Sequence, residues 1–159
     1  MKRANTKAVE ATAYHEAGHA VMAFQLGIRL QKITIVPDEE SSGCCHHESL
    51  LKFKGSARLK IEKLVMICLA GPLAQQKFKP RSIRSYHASS DYSVVARVAA
   101  QLNGSLEAST YIKWLAIRAR TKLDQPMTWK FVRAVAHELI TKKEITGKSL
   151  PGIFARVIR

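Results

Sequence analysis

His15, Glu16 and His19 stand in the stretch AYHEAGHA, residues 13 to 20. On an α-helix, positions i and i+4 share a face about 6 Å apart, so the two imidazoles can reach one metal ion. Glu16 then lies at the edge of that metal, where its carboxylate can hold a water. This is the logic of an H-E-x-x-H site. Two neutral imidazoles bind zinc, the pKa of a water on the zinc falls toward 7, and the glutamate takes the proton. Composition alone would produce such a match roughly 0.01 times in a chain of this length. The plainer alternative is a polar stripe on an apolar helix. Two histidines among Ala13, Ala17, Gly18 and Ala20 would then lack a purpose, and the small residues let another backbone come close. A second His-Glu pair, His137-Glu138, has Thr141 where the second ligand would stand, so His137 reads as an ordinary helix residue.

A catalytic zinc usually takes three protein ligands. The carboxylates after His19 are Asp38, Glu39, Glu40, Glu48, Glu62, Asp91, Glu107, Asp124, Glu138 and Glu144, and spacing does not choose among them. Glu62 sits on a helix and could reach inward. Asp91 is a modest favourite, although an acidic residue in a first helical turn also simply complements the helix dipole.

The elements that must position these residues follow from periodicity. A helix is expected over about 6–26, capped by Asn5 or Thr6 and stopped at Gly27, with Val9, Ala13, Ala17, Ala20, Val21 and Phe24 as its apolar stripe. KITIVP (32–37) alternates and is β-branched, a strand closed by proline. DEESSG turns the chain and CCHHESLL returns as the second strand of a hairpin. Ser56 opens a second helix whose stripe is Leu59, Val65 or Met66, Leu69 and Leu73, and which Pro72 should kink or interrupt. After a basic loop around Pro80, a third helix is expected over about 90–102, ending at Asn103-Gly104, and a fourth over about 106–123. Asp124 should cap a fifth, with Pro126 in its first turn, and SLPGIFARVIR reads as a short basic tail. The expected fold is mainly α, about five helices around one small antiparallel hairpin with a zincin-like active-site helix. It forms a single domain over 1–159 with its core in about 6–148.

A length of 159 residues with 47% apolar side chains suits one folded core. The 26 Lys+Arg against 12 Asp+Glu give a net charge of +14, which favours acidic partners without specifying one. The basic residues, among them Arg58, Lys60, Lys77, Lys79, Arg81 and Arg84, scatter without interleaved aromatics, so a nucleic-acid binder is disfavoured. Cys44, Cys45 and Cys68 are odd in number and two are adjacent, a poor disulfide framework that fits a reducing cytoplasm. The longest uninterrupted apolar run, Leu64 to Ala74, is 11 residues, too short to span a bilayer, and no signal peptide stands at the N-terminus. A soluble cytoplasmic protein is expected. CCHHE (44–48) has metal-ligand types, but Cys44 and His46 share one strand face and Cys45 and His47 the other. Neither face completes a structural zinc site. One cysteine could approach and restrain the catalytic zinc instead.

The chain resembles the peptidase domain of the FtsH-type zinc proteases, which are membrane-anchored and ATP-dependent. AYHEAGHAVMAFQLG resembles that family's active-site helix and KITIVP the strand after it. LAGPLAQQKF resembles its Leu-Ala-Gly helix, with Pro72 where an arginine is common. HASSDYSVVARVA resembles its Gly-Ala-x-x-Asp-Leu segment, with Ala88 and Asp91 matching and His87 and Tyr92 departing. The resemblance extends over about 8–148 and implies Asp91 as the third zinc ligand beside His15 and His19, with Glu16 as the general base. Gly43-Cys44-Cys45-His46 replaces the Gly-Tyr-Thr-like segment of the second strand, which bears on substrate preference. No oxyanion partner is assigned; Tyr86 and His87 are near Asp91 in sequence.

The family's ATPase would need G-x-x-x-x-G-K-[ST], and Gly147-Lys148-Ser149 lacks the earlier glycine. The expectation is therefore a stand-alone, ATP-independent zinc endopeptidase without a membrane anchor, acting on peptides or unfolded polypeptides. The alternative is an inactive homologue serving as a metal-binding interaction module. The full set of His15, Glu16, His19 and Asp91 argues against it. The family assembles as a ring, which keeps an oligomer among the expectations.

Overall fold

Helix α1 spans Lys2–Gln25 and carries the two histidines in its third quarter. It begins before the expected caps. Asn5 and Thr6 lie inside it, because Lys2, Arg3, Ala4 and Lys7 are helix formers and no glycine or proline stops the run there. Its end falls where expected. Gly27 takes φ +72°, the Gly27 N–H donates to Phe24 O (3.0 Å) and the Ile28 N–H to Ala23 O (2.9 Å), a Schellman closure. The structure is a computed structural model and describes residues 2–37, 44–47, 55–82, 89–101 and 106–159. The expected turn at 38–43, Glu48, Tyr86, His87 and the Asn103-Gly104 stop lie outside the described residues.

Strand β1 (Leu30–Thr34) pairs antiparallel with β2 (Cys44–His47), Lys32 opposite His46 and Ile33 opposite Cys45, with an irregularity at Gln31. The expected hairpin is thus present, and it is joined by a third strand that the sequence did not suggest. Strand β3 (Glu144–Thr146) pairs antiparallel with the other edge of β1, so the order is β2-β1-β3. Three residues are too few to show an alternating pattern. The turn into β3 depends on Lys143, a non-glycine residue at φ 68°. Its N–H closes the preceding helix on Leu139 O and its C=O accepts the Ile35 N–H at 2.9 Å.

Helix α2 (Ala57–Phe78) starts at Ser56, whose hydroxyl accepts the Leu59 N–H, and runs without interruption through Pro72. The expected break does not occur. Proline removes one helical donor, but Pro72 is buried within a run from Val65 to Pro72 that packs against the core, and this packing holds the helix. Of the expected stripe, Val65, Met66 and Leu69 are buried, whereas Leu59 is exposed. Helices α3 (Ser89–Gln101) and α4 (Leu106–Asp124) follow as expected. Helix α5 (Pro126–Lys142) is capped by Gln125, not Asp124. Asp124 closes α4 and pairs with Lys77 on α2.

The expected basic tail is instead a sixth helix. A 3-10 turn at Gly147–Ser149 leads into α6 (Leu150–Ile158). Pro151-Gly152 reads as a breaker, but proline in a first turn loses no helical bond. Leu150, Ile153 and Phe154 then form a short buried stripe, with Phe154 against Phe24 and Phe131. The fold is mainly α: six helices and a three-stranded sheet among the described residues. Helix α1 lies between α2 and α5, and one cluster, including Val21, Met22, Ile33, Met66, Leu115, Val135 and Leu139, joins helices and sheet. No described helix is long and apolar enough to cross a membrane.

Candidate metal centre

Small residues bring α1 and α2 into backbone contact at the centre. A Cβ on Gly18 would lie 2.5 Å from Ala70 O and 2.6 Å from the Ala74 Cβ. A Cβ on Gly71 would lie 2.2 Å from His19 Nε2. Gly18 and Gly71 therefore leave no room for even a methyl group. The histidines are consequently held against the α2 backbone: His15 is 6% exposed, Glu16 5% and His19 7%, with the two rings edge to face at 4.7 Å between centroids.

The hydrogen-bond pattern sets which ring nitrogen carries the hydrogen. Gln75 Nε2 donates to the Ser82 carbonyl (3.1 Å) and lies 3.3 Å from its hydroxyl. A carbonyl only accepts, so that end of the amide is the NH2 group and Oε1 is the end facing His15 Nδ1, at 2.9 Å. His15 Nδ1 is therefore the donor. His19 Nδ1 donates in the same way to Ile67 O at 2.7 Å. Both Nε2 atoms are left as acceptors. They face Asp91 Oδ2 from the first turn of α3, at 3.0 Å from His15 and 3.4 Å from His19.

Three acceptor atoms thus converge in a largely buried place, all within 4.8 Å of one another. Such a set repels itself unless a cation, a proton or a metal ion, lies among its members. For the metal-free protein the proton takes that place. Burial alone would lower the His19 pKa, but the Asp91 carboxylate overrides it and pushes it up to about 9. Asp91 in turn is held well below the carboxylate range: burial opposes this, and the charge of His19 with hydrogen bonds to both rings prevails. Glu16 shifts the other way. Burial raises its pKa, and the charges of His19 and His15 only partly offset that. Two imidazoles and one carboxylate, oriented by acceptors on their far sides, fit the ligand set of a zinc ion with an open coordination position.

Residues 2–149 match peptidase family M41, the family of the FtsH peptidase domains. The chain belongs to this family. No curated protein matches the chain. The family is zinc-dependent and its domain is mainly α, in keeping with both the helical fold and the converging donors.

The structure brings His15, Glu16, His19 and Asp91 together. The other described carboxylates are engaged elsewhere or stand on the surface. Glu62 binds the Tyr111 hydroxyl, Arg118 and Arg58, Glu138 binds Lys142 and Arg156, and Glu144 pairs with Lys32. His137 is exposed on α5. Cys45 packs against the hydrophobic cluster and Cys68 is buried; among the described residues the metal-competent group is His15, His19 and Asp91. The residues missed at the sequence level are Gln75, Ile67 and Gly71. They lie four apart along one face of α2, and the only signal was the polar Gln75-Gln76 pair that closes the apolar run Leu64 to Ala74.

Proposed function

We propose that this chain is an ATP-independent zinc endopeptidase that hydrolyses peptide bonds in peptides or unfolded polypeptides. The observation that carries the reading is the convergence of His15 Nε2, His19 Nε2 and Asp91 Oδ2 beside the buried carboxylate of Glu16. His15, His19 and Asp91 would hold the zinc. When bound, the ion supplies Lewis-acid activation of the water and of the scissile carbonyl. Glu16 accepts the water's proton on its carboxylate as the water attacks, then delivers that proton to the leaving amine nitrogen. Burial raises its pKa, which favours its holding the proton between the two transfers. An extended substrate would pair its backbone with the outer edge of β2, the strand at that edge of the described sheet. A cytoplasmic setting and the lack of an ATP requirement belong to the same reading.

Metal analysis paired with cleavage of an unfolded protein such as reduced casein tests this. Zinc-loaded wild type should hold about one zinc per chain and cleave at a rate indifferent to ATP. Glu16→Gln should keep the zinc and lose cleavage by about 100-fold or more. Wild type that holds no metal after zinc loading would sink the reading.

A further inference from the structure

The two histidines are oriented by acceptors of different kinds. His19 Nδ1 meets a main-chain carbonyl, which no substitution removes. His15 Nδ1 meets a side chain, Gln75 Oε1, and Gln75 is only 2% exposed. The other end of that amide is equally committed. Its Nε2 donates to the carbonyl of Ser82, whose own hydroxyl and N–H both donate back to Lys79 O at 2.8 and 2.9 Å. The main-chain carbonyl of Gln75 accepts the Lys79 N–H at 2.8 Å and so closes α2. One residue thereby binds a candidate ligand on α1, ends α2, and fastens Ser82, which stands nine residues before Asp91 in the chain.

We propose that Gln75 is a positioning residue for the zinc site: its amide holds His15 as the Nδ1–H tautomer and fastens Ser82 just beyond the end of α2. This rests on the zinc-ligand reading of His15, His19 and Asp91. An amide is the group that can do both tasks. It offers an acceptor to the imidazole and a donor to a carbonyl at once, without placing a further negative charge in the buried site. Its two ends cannot be exchanged without setting donor against donor and acceptor against acceptor.

Two substitutions separate the tasks. Gln75→Leu keeps the volume and removes both bonds. Gln75→Glu keeps the acceptor for His15 and removes the donor to Ser82. Zinc affinity is read by competition with a chromogenic chelator, and the His15 Nδ1 proton by ¹H–¹⁵N NMR of the zinc-loaded protein. Gln75→Leu should weaken zinc binding by about 10- to 100-fold and lose the slowly exchanging Nδ1 proton. Gln75→Glu should keep that proton and bind zinc within about threefold of wild type, while the melting temperature of its metal-free form falls. A purely structural residue would lower both melting temperatures and leave affinity and the proton signal alone. If Gln75→Leu does not fold, Gln75→Ala carries the same comparison. Zinc affinity within twofold of wild type in the truncated variant, or equal losses in the Leu and Glu variants, overturns the proposal. Wild type that binds no zinc overturns the zinc-ligand reading as well, so the two failures are told apart.

Discussion

In the metal-free protein, proton and metal compete for His19. Its pKa rises from 6.5 to about 9 on folding, so the proton it holds against Asp91 stabilises the fold fully below pH 6.5 and progressively less as pH climbs through about 9. The Asp91 shift is opposite in sign: its contribution is present above its ordinary value of 3.8 and is lost on acidification. The metal-free protein should therefore melt highest between roughly pH 4 and 6.5, which a series of thermal melts in chelator will check. Zinc must displace the His19 proton, so its affinity should tighten by about tenfold per pH unit between 6.5 and 9; a flat profile would contradict the coupling. At this scale the sequence was eloquent about His15, Glu16 and His19, because helical spacing alone aims them at one point. Asp91 needed the family pattern, since it lies 76 residues from His15 and its place in a first turn has an ordinary explanation. Gln75 was invisible: it acts across 60 residues through the far nitrogen of His15, and no local periodicity encodes such a bond.

Helices α1 and α2 meet along glycine and alanine, and this seam holds the two histidines against the α2 backbone. Gly71→Ala would drive a methyl group onto His19 Nε2, an atom already constrained by the Ile67 carbonyl on the ring's other side. Zinc affinity should fall by more than about tenfold with helical circular dichroism retained. Gly18→Ala meets main-chain Ala70 O and should instead part the helices at a cost of about 1–3 kcal/mol, measurable by urea denaturation. Among elements, the long helices were legible from their periodicity and the hairpin from its alternation. Helix α6 was hidden because Pro151-Gly152 opens it, and β3 because it is three residues long and recruited by β1. The run through Pro72 shows tertiary burial outweighing a local breaker.

Across the whole molecule the candidate ligands belong to two separate helices, α1 and α3, so a bound zinc ion would take over the join that the His15–Asp91 and His19–Asp91 contacts make in the metal-free protein. A ligand that binds only the native state stabilises it by about 2.7 kcal/mol at a hundred times its Kd. Zinc should raise the melting temperature accordingly, and a chelator should return it to the metal-free value. Phe154 lies far along the chain, on α6, wedged between Phe24 and Phe131. Phe154→Ala should cost about 3–5 kcal/mol of stability while leaving zinc stoichiometry untouched, because it touches neither the ligands nor their α2 support.

The wide separation of these parts also bears on when cutting can begin. A chain emerging from the ribosome presents both histidines before Asp91, which follows only after the whole of α2 has been made. Helix α5, which packs on α1, and β3, which braces β1, come later still. Any nascent or prematurely ended chain that stops before α3 has two of its three candidate ligands and none of that late support. A hydrolase assembled in this way would stay inert until α3 has joined α1, whatever else restrains it.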